Sequence, residues 1–291
     1  IPDNFLVTPG VVTPACSSIF TYFGQDGFTT AFTLTARNSA NVTTQNYQGS
    51  FARLVSTSWN SYVFSTASAL PTGSVLSASA TAPTGTWSSG QGSITAVHQI
   101  SRPTAATGET SVSITAKPVD ADSVTSASAT TVSTFATSLR FGRLLLSNAY
   151  GSEMLDLPVP LTAQYYSGTA WVLNAADSCT QVAPSSVMLS GWSDNLSACE
   201  TYFSPSATQT LAGGRTNLVL RRPAAAGTGN NGSVGLTLNV GAVASGSTCV
   251  SATASSASAG NLPQFGTTNP AAKATFGIYK STPMIDRREV Y

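Results

Sequence analysis

The sequence predicts an all-β protein built from two tandem antiparallel β-sandwich domains of the immunoglobulin-like kind. Three observations predict it. Apolar and polar residues alternate with period two in short runs, most clearly Phe28–Arg37 (FTTAFTLTAR), Ser93–Ser101 (SITAVHQIS) and Ser233–Val240. Gly, Pro or Asn separates such runs at intervals of roughly ten residues. No helical period is sustained in the first half. The 291 residues suffice for two domains with sizeable cores.

In chain order, Ile1–Pro14 is a lead-in with a short edge-type strand bracketed by Pro2 and Pro9. In Phe28–Arg37, Phe28, Thr30, Phe32, Leu34 and Ala36 share one face. Gly49–Val55 and Tyr62–Phe64 read as further strands, and Val75–Ala80 alternates weakly. Thr84-Gly85 and Ser89-Gly90 mark turns around Trp87. Ser93–Ser101 puts Ile94, Ala96, His98 and Ile100 on one side, and Val112–Ala116 follows. Asp120–Thr134 is rich in Ser, Thr and Ala and poor in large residues. It reads as the domain junction, giving an N-terminal domain over 1–134 and a C-terminal domain over 135–291.

The second domain opens on the densest run of large apolar residues, Leu139–Cys179. Leu139–Ser147 reads as a strand and Asn148–Ser152 as a turn. Pro158 and Pro160 demote part of Met154–Tyr166 to an edge or bulge. Ser167-Gly168 suits a hairpin turn into Trp171. Val187–Leu189 is a short strand, and Ser193–Phe203 has room for one or two helical turns capped by Ser193 or Asp194. Asn217–Arg222 and Ser233–Val240 are strands, with Gly227–Gly232 a loop between them. Ala242–Gly260 reads as strand edge or loop around Cys249. Thr275–Tyr279 and Glu289–Tyr291 read as closing strands.

Only 9% of residues are charged, against about 25% in an average protein, and the net charge is +1. That argues against nucleic acid or an anionic membrane surface as partner. Cys16, Cys179, Cys199 and Cys249 are widely spaced with no CxxC, which argues for disulfides in an oxidising compartment rather than zinc. Cys179–Cys199 closes the shortest loop, worth roughly 3 kcal/mol, and leaves Cys16–Cys249. Cys16–Cys179 with Cys199–Cys249 is the open alternative. No signal peptide and no run of 18 apolar residues is present. The chain reads as a mature product or a C-terminal portion of a longer secreted protein, without a membrane span.

Chemistry-bearing residues are sparse. His98 is the one histidine, on an apolar strand face with no acid or nucleophile beside it in sequence. No GxSxG elbow occurs. Asp120 and Asp122 form a DxD, a fragment of a calcium site that needs six to eight oxygens. Glu153 and Asp156, three apart on a regular strand, point to opposite faces, which discounts an acid/base pair. Arg221-Arg222 and Arg287-Arg288 are too few for nucleic acid. Trp59, Trp87, Trp171 and Trp192 could form a sugar-stacking platform or simply fill cores. Sheet edges can accept a strand from another copy or another protein, and Pro2, Pro158 and Pro160 look like edge devices.

Three stretches resemble the C-terminal region of the MshQ family, named for biogenesis of the mannose-sensitive haemagglutinin type IV pilus. They are Phe20–Gln25 with Phe32–Asn38 and Asn46–Gly49; Leu139–Leu144 through Ser147–Glu153 and Leu155–Pro160, closing on Asp177–Thr180; and Ala274–Lys280 with Arg288–Tyr291. The matches run in order along the whole chain. In that family the region is a domain of unknown function, so the resemblance carries over no catalytic, metal or cofactor residues. It implies an exported, surface-exposed or pilus-associated protein of a Gram-negative bacterium. The expected function is a structural or adhesive surface component, not an enzyme and without cofactor. Its partners would be pilus or filament subunits or further copies of itself. The alternative is a carbohydrate-binding adhesin domain meeting a surface glycan through exposed aromatics.

Overall fold

Phe141 is the residue at which the chain leaves one β-sandwich and enters a second, in a computed structural model that describes residues 1–223 and 230–277. The expected single strand Leu139–Ser147 is two. Thr137–Arg140 pairs with Thr110–Val112 and Thr21–Tyr22, whereas Gly142–Leu146 pairs with Leu157–Tyr166. The described residues contain strands and short 3-10 turns and no α-helix. No helix among them is long and apolar enough to cross a membrane.

The first sandwich has a main antiparallel sheet of Asn4–Thr13, Asp26–Arg37 and Gln91–Ile100, with Leu76–Ala78 and Thr84–Ser88 along the far side of the last. The period-two pattern explains its inner face: Phe28, Phe32, Leu34, Ile94, Ala96 and Ile100 are all buried. They share one core with Val112, Ile114, Ala116 and Leu139 from two small sheets opposite. Each of the larger side chains among them contributes about 1.5–3 kcal/mol. In the second sandwich, Gly142–Leu146, Leu157–Tyr166, Trp171–Leu173 and Arg215–Leu220 form one sheet. Ala149–Gly151, Ala271–Phe276, Gly232–Leu238 and Val187–Asp194 form the other. Leu144, Val159, Leu161, Leu218, Val234, Leu236 and Leu238 fill the space between.

The two cores exchange residues. Cys16, Phe20 and Tyr22, early in the chain, are buried in the second core. Phe141 belongs to the first, with Tyr166 and Trp171 packed against it.

Several local expectations need correction. Gly49–Phe51 and Trp59–Tyr62 are 3-10 turns, not strands. Gly49 and Val63 take positive φ of 53° and 41°, which breaks an extended run, and the Tyr62 hydroxyl bonds back to the Ser56 carbonyl oxygen. Trp87 lies in a strand, Thr84–Ser88, whose hairpin turn is Ser89-Gly90; Gly92 opposite leaves room for its indole. Ser193–Phe203 holds no helix: the strand runs on to Asp194, and Cys199 has φ 60° and a disulfide. The stretch read as the junction, Asp120–Thr134, is an integral edge of the first sandwich. Thr130–Thr131 pairs with Thr115–Ala116, and Gly10 N–H donates to the Val132 carbonyl oxygen. Ala271–Phe276 is the closing strand of the described residues. Glu289–Tyr291, Arg287-Arg288 and the first half of the Gly227–Gly232 loop lie outside them.

Pro158 and Pro160 do sit at an edge. Their strand pairs with Arg215–Leu220 on one side, and on the other Gly142–Leu146 reaches only as far as Leu161. The Pro160 carbonyl oxygen accepts from Ser147 N–H, so both prolines turn the position of their missing N–H toward the open side.

Candidate functional site

The place where the two sandwiches meet gathers the polar and cationic chemistry of the chain. Cys16 and Cys179 form a disulfide there, 163 residues apart, and Cys199–Cys249 forms the second. The preferred pairing Cys179–Cys199 is therefore not the one made. Two such bridges belong to a chain that folds in an oxidising, extracytoplasmic setting.

Beside the first bridge lies a buried hydrogen-bonded chain. Asp177 is fully buried at a turn after Trp171–Leu173. Its carboxyl oxygens accept from the Tyr22 hydroxyl (2.9 Å), the Thr180 hydroxyl (2.7 Å), Thr180 N–H (2.9 Å) and Cys179 N–H (3.1 Å). Asn174 donates to the Tyr22 oxygen at 2.6 Å and accepts from Arg140 at 2.6 Å. Arg140 also pairs with Glu109 at 3.3 Å, and its guanidinium lies 4.6 Å over the rings of Phe20 and Tyr165. Burial, with Asp177 next to it, drives the Tyr22 phenol far above the usual range, so it stays a neutral donor. Cys16, Asp177 and Cys179 cluster as three ligands of a metal would. The sulfurs, however, are bonded to each other and the carboxyl oxygens are occupied by donors.

Next to this junction is a groove of about 560 Å³, walled by Arg102, Phe141, Arg143–Leu146, Trp171 and Phe265–Thr268. Arg102 lies 3.6 Å over the Phe141 ring and donates to the Gln264 carbonyl oxygen. Arg143 lies 4.2 Å over Trp171 and donates to Gln164 at 2.9 Å. Burial lowers the Arg102 guanidinium to about 10, well above neutrality, and it remains a cation. Neither arginine has a carboxylate partner among the described residues. Stacking on an aromatic face holds a guanidinium in place while leaving edge donors for a ligand.

Of the residues singled out from sequence, Trp171 alone among the described ones lines the groove. His98 is buried in the first core. The Trp59 indole N–H donates to its Nδ1 at 3.2 Å, so Nε2 carries the proton and donates to the Thr30 hydroxyl at 2.7 Å. Phe28 and Phe64 flank the ring, and burial pushes its pKa down to about 3. Asp120 caps its own turn, accepting from Asp122 and Val124 N–H at 2.9 Å and from the Tyr47 hydroxyl at 2.9 Å; Asp122 faces Arg53 at 3.7 Å. Asp156 accepts from Arg222 N–H, and Arg221 lies over Tyr202. Trp59 packs by His98, Trp87 between Phe5 and Tyr47, Trp171 in the groove and Trp192 against the second core. The four are all partly buried and make no shared platform.

Tyr22, Arg102, Asn174 and Asp177 were not legible as a group, because their partners lie more than 150 residues away in sequence. The one signal was that Tyr22 and Asp177 both fall in stretches of family resemblance.

No curated protein matches this chain. Among solved structures it is similar to the Yersinia pseudotuberculosis adhesin InvE, at 13% identity and a TM-score of 0.31, over 94% of this chain and 58% of that one. The family description "DUF6701, third domain" matches residues 1–141, and "DUF6701, fourth domain" matches residues 140–290. Those two matches meet beside Phe141 and together take in nearly the whole sequence, and the chain therefore belongs to the DUF6701 family.

Proposed function

We propose that this chain is an exported structural or adhesive module of a Gram-negative bacterial surface. It acts by protein contact rather than catalysis, in association with a type IV pilus of the MSHA kind or another extracellular filament. The observation that carries the reading is the junction. A disulfide and a buried polar chain bind two sandwich cores that exchange residues, which makes a stiff two-module body. Stiffness of that kind serves a spacer or docking platform exposed to the medium. The low charge of the chain suits close packing against a filament. The resemblance to the MshQ C-terminal region motivates the choice of filament.

The test is co-sedimentation with filaments sheared from the native cells, before and after salt and detergent washing. The reading expects the chain to pellet and to resist washing. A chain that stays in the supernatant as a monomer refutes it.

A further inference from the structure

The free edge of the Gly142–Leu146 strand carries an inference that deepens the contact reading above and rests on it. Residues Leu161–Tyr165 cover one side of this strand. Tyr166 N–H donates to the Phe141 carbonyl oxygen and Ser147 N–H to that of Pro160, so odd-numbered residues turn their main-chain groups toward that neighbour. Ala163, opposite Leu144, agrees in phase. Its N–H goes to Gly214 and its carbonyl oxygen accepts from Asn174, both away from the strand. Gly142, Leu144 and Leu146 therefore turn three N–H and three C=O groups to the other side. There they have no protein partner among the described residues. Yet all three residues are buried, and buried main-chain groups are nearly always paired.

The groove with the two stacked arginines runs along this same edge. Its lining contains Arg102 and Arg143 and no acidic side chain. An open strand edge is a template for a further strand, with main-chain bonds giving affinity and alternate side chains giving choice. Every pairing in this sheet is antiparallel.

We propose that the groove takes an extended acidic segment of a partner protein as an added antiparallel strand. Its alternate residues exchange main-chain bonds with Gly142, Leu144 and Leu146 and send apolar side chains toward Phe265. The residues between them share the outward face of Arg143, where a carboxylate meets its guanidinium. Arg102 supplies the second positive charge. The preferred ligand is thus a strand that alternates apolar and acidic residues.

The probe is a blocked peptide alternating valine with glutamate, titrated calorimetrically into the full chain. A valine–lysine peptide and two N-methylated forms accompany it. The glutamate peptide should bind, with the lysine peptide at least tenfold weaker. In an antiparallel pairing the valines carry the bonding N–H groups, so N-methylation at valine should abolish binding and N-methylation at glutamate should spare it. Binding should slow hydrogen exchange at the Leu144 and Leu146 amides. Arg143→Gln should weaken the glutamate peptide about tenfold. No binding, equal binding of the lysine peptide, or indifference to which residues are methylated would overturn the proposal. The two readings fail separately. A chain that pellets with filaments but ignores the peptide keeps the contact reading and loses the edge. A chain that binds the peptide at the edge but not filaments keeps the edge and loses the filament.

Discussion

Acid should destabilise this protein through His98 in a way that a single substitution isolates. The ring is fully buried, neutral and bonded on both nitrogens, with desolvation pushing its pKa from 6.5 down to about 3. In the unfolded chain it titrates near 6.5. Between those values the unfolded state binds the extra proton and the folded state does not. The stabilising contribution is therefore complete above pH 6.5 and is lost as pH falls toward 3, at about 1.4 kcal/mol per pH unit. At pH 4.5 the loss is about 3 kcal/mol. Denaturant unfolding of the wild type and of His98→Gln at pH 7.5 and pH 4.5 measures it. Carboxylate effects are common to both proteins and cancel in the difference. Glutamine cannot be protonated, so the variant starts less stable and loses about 3 kcal/mol less on acidification. Parallel pH dependence in the two proteins would refute the reasoning, because it would mean that His98 titrates alike in both states.

Tyr22→Phe removes the donor to Asp177 and the acceptor of Asn174 within a buried chain, and should cost about 2 kcal/mol by chemical denaturation with the fold retained by circular dichroism. Replacing Cys16 and Cys179 together by Ser should lower stability by about 2–5 kcal/mol, with the midpoint insensitive to reductant at that bridge. Gly10→Ala places a Cβ about 2.1 Å from the Ala31 carbonyl oxygen at the bulge of the first strand, and should cost about 1–3 kcal/mol in the same assay.

The strands that read clearly in the sequence are those with one buried face. Phe28–Arg37, Ser93–Ser101 and Ser233–Val240 lie within or beside strands that bury the alternating residues, because a period-two pattern directly encodes a half-buried strand. Local reading failed where a tertiary partner decides. LRFGRLLL looks continuous, yet it divides at Phe141, since each half meets a different sheet. The disulfides illustrate the same limit. By loop entropy the pairing made and the pairing preferred are each worth about 9 kcal/mol in total. Chain length could not choose; what chose was the burial of Cys16, Phe20 and Tyr22 in the second core. The groove was illegible for a related reason. Arg102 and Arg143 stand far apart in a chain with few charges, and nothing local shows that both lie over aromatic rings on one wall.

The order of the two bridges sets how far this chain yields to tension. Of the 233 residue steps from Cys16 to Cys249, one bridge bypasses 163 and the other 50, so only the 20 between Cys179 and Cys199 remain in the line of pull. Fully drawn out, those steps lengthen to about 70 Å, against about 800 Å for the reduced chain. Most of both cores lies off the load path, but Val182, Val187, Leu189 and Leu196 of the second core lie on it. A pull applied at Cys16 and Cys249 is carried by covalent bonds, and it reaches the sheets through the strand Val187–Asp194 between the bridges.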